Sequence, residues 1–485
     1  MRLNSASLSL ALLLLGCAQA KRASHRDTPA TSWRYEVTLD ASLARMDVTV
    51  CFDGPAPAEL RAGRDEAAIR LLHARWVRPG PARKLRVVRG RIALEGAAAD
   101  GCVAYAVRLT EGGSLRAAVR RVGRDLLASP SVWLWRPEHR AKGARATMTL
   151  RLPEGVSALL PWPDDRGVRV LEADAFRFES YAAFGHFAPV HAHHAGVRLE
   201  LGVLDGALGV GHDALLAWLR EAIDVASLGG RFPRARMATI VVPAEEAAEP
   251  VPFGMVARGG EASLLLLVSR SATAAALRRD WVLPHELSHL LLPFVEREHA
   301  WISEGFASYQ QEVLRARAGL LSEREALQHI VDGLAAARAE ERAPSLVDAS
   351  ARMDASWAFA RVYWGGAALF FKADVALRAR THGHHTLDAL TALLRAEPDA
   401  DLVWDPRALL ARLDALSGTD VFAEALREAE ARALPDLDET LRRLGVRVVA
   451  GEVTLDDAAE WAELRRAVFA PSVRSSPQPA LAAPP

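Results

Sequence analysis

The period at which apolar residues recur changes once along the chain, and that change limits the possible folds more than any other feature. From Trp33 to about Leu204 apolar and polar residues alternate in short runs. Examples are Tyr35-Glu36-Val37-Thr38-Leu39, Ala146 to Leu152 and Val197-Arg198-Leu199-Glu200-Leu201. Turn signals such as Asp53-Gly54-Pro55, Glu111-Gly112-Gly113 and Pro163-Asp164-Asp165 separate them. Alternation with period two is the mark of half-buried strands. Beyond about Asp213 the spacing becomes helical and stays so, with few exceptions, to about Val468. The exceptions are Ala238 to Pro243 and Ser263 to Val268, which read as strands. A chain with strands first and helices last is expected to be an α+β multidomain protein, opening with a β-sandwich-like domain. At about 100–200 residues per domain, 485 residues suggest two to four of them. Sixty basic and sixty acidic side chains cancel. A neutral balance argues against a protein that coats nucleic acid.

The N-terminus carries an export signal. Met1-Arg2 is a basic start, Leu8 to Leu15 is an apolar run, and Gly16-Cys17 follows. The run is too short to remain as a membrane span. Leu14-Leu15-Gly16-Cys17 resembles a bacterial lipobox, in which Cys17 is acylated and anchors the protein; Ala18-Gln19-Ala20 resembles an ordinary cleavage site that releases it. Either ending implies export, to a bacterial cell envelope. In an oxidising compartment the two remaining cysteines, Cys51 and Cys102, each in a strand-like run, are expected to pair as a disulfide. Residues 21–32 read as a polar tether and the Pro-, Ser- and Ala-rich segment from 469 to 485 as a disordered tail.

Chemistry concentrates in His285-Glu286-Leu287-Ser288-His289 and in Trp301-Ile302-Ser303-Glu304-Gly305-Phe306. Ser271 to Leu292 reads as one long helix stopped by Pro293, and Ser303 as the start of the next, which runs to about Ala318. Positions i and i+4 share a helix face, so His285 and His289 can point at one ion. Glu286, rotated by about 100° from His285, can reach a water beside that ion without ligating it. Glu304 can supply a third, carboxylate ligand. Three protein ligands with one open position is the pattern of a catalytic zinc site. One Zn2+ ion is therefore the expected cofactor.

These two segments, continued by Ala307-Ser308-Tyr309, resemble the active-site signature of the gluzincin metallopeptidases. The aminopeptidase N/leukotriene hydrolase and glycyl aminopeptidase groups are the most similar. The resemblance implies that His285, His289 and Glu304 bind zinc, that Glu286 is the general base and that the substrate is a peptide or protein. Tyr363-Trp364-Gly365-Gly366 resembles the Tyr-x-x-Gly of those enzymes, which implies that Tyr363 hydrogen-bonds the oxyanion of the tetrahedral intermediate. It also implies an order of domains: a β domain at 33–204, a thermolysin-like catalytic domain at 205–318 and an all-helical region at 319–468, after a signal peptide at 1–20. Two departures stand out. Fourteen residues separate His289 from Glu304, where aminopeptidase N-like enzymes have eighteen, a shortening that a loop expected at the surface can absorb. Phe253 to Gly259 resembles their Gly-Ala-Met-Glu-Asn-Trp-Gly segment, but the glutamate that holds the substrate's α-amino group falls on Val256. A valine cannot hold an ammonium group, so an endopeptidase or a catalytically silent envelope-binding protein remains an alternative to an aminopeptidase.

Other polar clusters are weighed lower. His191, His193 and His194, and His382, His384 and His385, read as solvated loops, and His299 as a weak rival to Glu304. Ser308 or Gln311, on the Glu304 helix, is placed to orient a ligand histidine. Glu261 is a remote substitute for the missing glutamate.

Overall fold

The computed structural model describes residues 32–470, apart from 97–98, 110–117, 139–143, 173–175, 246 and 341–344. The signal segment with Cys17, most of the tether, the Glu111-Gly112-Gly113 turn and the tail from 471 lie outside the described residues.

The strands read from alternation form a seven-stranded sheet. Its members are β1 (Ser32–Leu39), β2 (Arg45–Asp53), β3 (Leu71–Arg78), β4 (Arg83–Lys84), β5 (Cys102–Arg108), β6 (Arg145–Arg151) and β7 (Val168–Glu172), in the order β7-β6-β1-β2-β5-β3-β4. Trp33, Tyr35, Val37 and Leu39 of β1 point inward and the residues between them outward. Two four-stranded sheets close over that inner face around one aromatic-rich core. Cys51 and Cys102 stand opposite each other on β2 and β5 and form the expected disulfide.

A second sheet follows, in the order β8-β9-β10-β12-β11: β8 (Val190–His194), β9 (Val197–Val203), β10 (Arg236–Ala244), β11 (Phe253–Ala257) and β12 (Ala262–Ser269). The stretch up to Leu204 is thereby divided, because β8 and β9 pair into this sheet and not with the N-terminal ones. The histidines at 191, 193 and 194 lie on its outer strand β8 instead of in a loop. β10 and β12 are parallel neighbours buried along nearly their whole length, which explains their unbroken apolar text. One face packs on α1 (His212–Ala226) and on the helix carrying the histidine pair. The other packs Ile240, Val242, Leu265 and Leu267 against Leu127, Leu159 and Phe187 of the preceding region. That apolar layer joins the sheet to the N-terminal part.

The expected long helix from Ser271 to Leu292 is broken. It consists of α2 (Ala274–Arg279), α3 (Val282–Ser288) and a 3-10 turn at His289–Leu291. Pro284 lacks the N–H that a continuous helix would need to donate to Asp280, so the chain restarts, with Asp280 Oδ1 accepting from the Val282 N–H at 2.8 Å. The following helix, α4 (Ala300–Arg317), begins three residues before Ser303. Its early Trp301 N–H is taken by the Ser350 hydroxyl at 3.0 Å, a remote partner with no local signature.

From here α5 (Glu323–Ala339), α6 (Phe359–Arg380) and further helices form a third core. Trp301, Ile302, Phe306 and Tyr309 of α4 belong to it, so the core crosses the boundary expected at residue 318. The C-terminal region is not wholly helical. β13 (Val446–Val449) and β14 (Glu452–Leu455) form a hairpin turning at Ala450-Gly451, both with positive φ (52° and 88°). Two left-handed residues are what a tight two-residue hairpin turn demands, and the alternation of Val446 to Thr454 is its signal.

Candidate metal centre and cleft

α3 ends at the site and α4 passes beside it. His285 Nε2 lies 3.3 Å and His289 Nε2 3.4 Å from the same oxygen, Glu304 Oε2. The three donor atoms all fall within 4.8 Å of one another, the one such group of three among the described residues. The two imidazoles meet edge to face with centroids 4.9 Å apart. Burial would raise the Glu304 carboxyl pKa, but the positive field of His289 and hydrogen bonds with His285 and His289 outweigh it and hold the group well below the usual carboxylate range. Two nitrogens and one carboxylate oxygen suit zinc. His285 Nδ1 sits 2.8 Å from Gln311 Oε1, so Gln311, not Ser308, meets the ligand ring. A hydrogen on Nδ1 spent on that oxygen leaves Nε2 as the nitrogen turned toward a metal.

The other two expected residues come to the same place. Glu286 lines the cleft, and its Oε2 accepts from the Val256 N–H of the edge strand β11 at 2.8 Å. The approach is close because residue 254 is glycine: a Cβ there would meet Glu286 Cγ at 3.0 Å. Tyr363, in the second turn of α6, stacks on His285 with centroids 5.8 Å apart and planes 3° from parallel. Burial, then the carboxylates of Glu304 and Glu286, push its phenol pKa far up, so the hydroxyl keeps its proton and can donate it in a hydrogen bond.

A crossing of two glycines places Tyr363 beside Glu304. A Cβ on Gly305 would come within 2.5 Å of the Gly366 backbone, and one on Gly366 would collide with the Trp301 carbonyl. The Glu-Gly and Tyr-x-x-Gly signatures are thus two halves of one helix contact, each glycine standing next to or near a polar residue it brings into position.

The cleft is a cavity of about 970 Å³ between the three regions. β11 forms one wall, Glu304 and Tyr363 the other, and Ser129 and Glu179 of the N-terminal part overhang it. The loop between His289 and Glu304, expected at the surface, runs along the cavity and buries Leu292, Pro293 and Val295. Its Phe294 pairs with Val403, packs on Phe178 at 5.2 Å and lies under the guanidinium of Arg258. Being four residues shorter than the aminopeptidase N-like spacing, it is tied down on several sides. Val256 faces the cavity where the resemblance puts the amine-binding glutamate, while Glu261 and His299 do not line it.

A family model for the M61 glycyl aminopeptidases matches residues 293–365, the stretch from that loop to Tyr363. No curated protein sequence matches the chain. An aminopeptidase N family protein from Idiomarina loihiensis shares its fold, with a TM-score of 0.66 and 16% identity over 86% of this chain and 79% of that one. So does an M1 zinc metallopeptidase from Deinococcus radiodurans solved with a Tyr-Ser-Ala substrate, with a TM-score of 0.55 and 16% identity over 84% of this chain and 95% of that one. The chain thus resembles the glycyl aminopeptidases over residues 293–365 and has the fold of the two solved proteins. The matched segment supplies Glu304, both crossing helices up to Gly365, and Tyr363. The His285–His289 pair lies just ahead of it, and the edge strand further upstream.

Proposed function

We propose that the protein is an exported zinc peptidase. The observation that carries this reading is the meeting of His285, His289 and Glu304 in one cluster with Glu286 and Tyr363 beside it on a shared cavity. His285, His289 and Glu304 would hold a single zinc ion, which when bound polarises a water molecule and the substrate carbonyl. Glu286 takes a proton from the attacking water and passes it to the departing amine; the Val256 N–H steadies its carboxylate meanwhile. Tyr363, kept neutral, donates a hydrogen bond to the oxygen that gains charge. The sheet with its edge strand on the cleft, and the paired helices carrying the motif, support reading the central unit as thermolysin-like.

Val256 marks the substrate. With no carboxylate at that place, a free α-ammonium group loses the partner that it has in the resembling aminopeptidases, and internal or blocked peptide bonds become acceptable. This is the observation that favours an endopeptidase, or failing catalysis a binding protein, over a strict aminopeptidase. The Cys51–Cys102 disulfide supports export, since such bonds persist in oxidising compartments. Anchoring through an acylated Cys17 in the bacterial envelope is proposed on the Leu14-Leu15-Gly16-Cys17 pattern.

The test is digestion of a mixed peptide library by the zinc-loaded mature chain, beside Glu286→Gln and a chelator-treated sample, with products read by mass spectrometry. Internal cuts lost in both controls are expected. Cleavage that survives Glu286→Gln would refute the general-base assignment, and zinc binding without any cleavage would leave the binding-protein reading.

A further inference from the structure

Beyond Gln311 lies a buried ionic cluster that the proposed mechanism does not use. Glu312, 2% exposed, accepts from Gln311 Nε2 at 2.7 Å. Its charge is met by Arg315 Nη1, at 3.3 and 3.4 Å from its two oxygens, and by His329 Nδ1 of α5 at 2.7 Å. Burying a carboxylate costs several kcal/mol, and an apolar residue of similar size often packs there at no loss of stability. A charge kept at this position therefore invites a reason other than packing.

The chemistry of the amide supplies one. An ionised carboxylate only accepts hydrogen bonds, so Gln311 must turn its NH2 toward Glu312 and its oxygen toward His285. An oxygen only accepts, so His285 must carry a hydrogen on Nδ1, which leaves Nε2, 3.3 Å from Glu304 Oε2, as the nitrogen that can be given to a metal. We propose that Glu312 selects the metal-binding tautomer of His285 by fixing the orientation of the Gln311 amide. This positioning role rests on the metal-centre reading above and deepens it. If the carboxylate became an amide, Gln311 could rotate and present NH2 to His285 Nδ1. The hydrogen would then move to Nε2, where it competes with a metal.

The test measures the zinc dissociation constant of the full mature chain by competition with a chromogenic chelator, with a thermal melt of each variant alongside. Glu312→Gln is expected to weaken zinc binding about 10–100-fold, the usual effect of losing an outer partner of a ligand histidine. The double variant Gln311→Glu with Glu312→Gln puts an accept-only group directly against Nδ1, and affinity should return to within a few-fold of wild type. A variant that merely packed badly would not be rescued by a second change. Wild-type affinity in Glu312→Gln, or a double variant as weak as the single one, overturns the proposal while leaving the metal centre standing. A wild-type chain that binds no zinc overturns the metal centre, and this role with it.

Discussion

The two walls of the cleft are built differently. On one side α4 and α6 cross at Gly305 and Gly366, so closely that neither position has room for a methyl group, and α4 is buried over nearly its whole length. Glu304 and Tyr363 are thereby held by backbone packing. On the other side β11 is the outermost strand of its sheet, half-buried along its length, and meets the chemistry through one hydrogen bond from Val256 to Glu286. The helical wall carries Glu304 and Tyr363, α3 and its 3-10 turn carry His285, Glu286 and His289, and the strand carries the departure at Val256. In the proposed function, reaction and substrate choice would therefore rest on different elements, and the second could change without moving the first.

If that division is right, the largest losses follow from removing proton transfer while the metal stays. Glu286→Gln is expected to lower kcat by roughly 10²–10⁴-fold, the range for a positioned acid–base group, with zinc content unchanged by atomic absorption. Loss of zinc in this variant would mean that Glu286 is part of the metal site instead. Tyr363→Phe should lower kcat by about 10²–10³-fold with little change in KM, because its hydroxyl is assigned to the oxyanion. An equal rise in KM would instead make it a substrate-binding group.

Next in size is a structural change to the helical wall. Gly366→Ala drives a Cβ into the Trp301 carbonyl and should cost about 1–3 kcal/mol, the range for overpacking a well-filled interior. A lower denaturation midpoint is expected together with reduced activity, because the crossing that it forces apart aligns Glu304 with Tyr363. A variant as stable and active as wild type would show that the helices can separate harmlessly, which would undo the contrast between the walls.

What the sequence made legible follows the same physics. The convergence of His285 and His289 was readable because helical spacing is local: the two are one turn apart whatever surrounds them. The first strands were readable because alternation is local too, as in β1. The break at Asp280-Trp281 had its signal in Pro284, and the hairpin at Val446 to Leu455 had its own in Ala450-Gly451, yet each lay inside text that otherwise read as helix. Other features had no local signal. The start of α4 depends on Ser350, the placement of the 292–297 loop on Val403 and Phe178, and the tie from Glu312 to His285 on Gln311 turning its amide a particular way. These are tertiary partnerships, and they account for the misplaced helix start, the loop expected at the surface and the overlooked carboxylate.

The smallest effect concerns the strand wall and tests the division most directly. Val256→Glu would restore a carboxylate where the resembling aminopeptidases use one for the α-amino group. A charged hydrogen bond to an ammonium contributes about 1.5 kcal/mol at the low end, which corresponds to roughly tenfold. The useful readout is the ratio of kcat/KM for a free-amino peptide to that for its N-acetylated form, because general damage to the enzyme cancels in it. A tenfold rise in that ratio, with kcat for the better substrate nearly unchanged, would show that the strand sets the terminus preference while the helical wall continues to run the chemistry. An unchanged ratio would mean that terminus recognition comes from elsewhere on the cavity, and that the difference between the two walls is one of architecture alone.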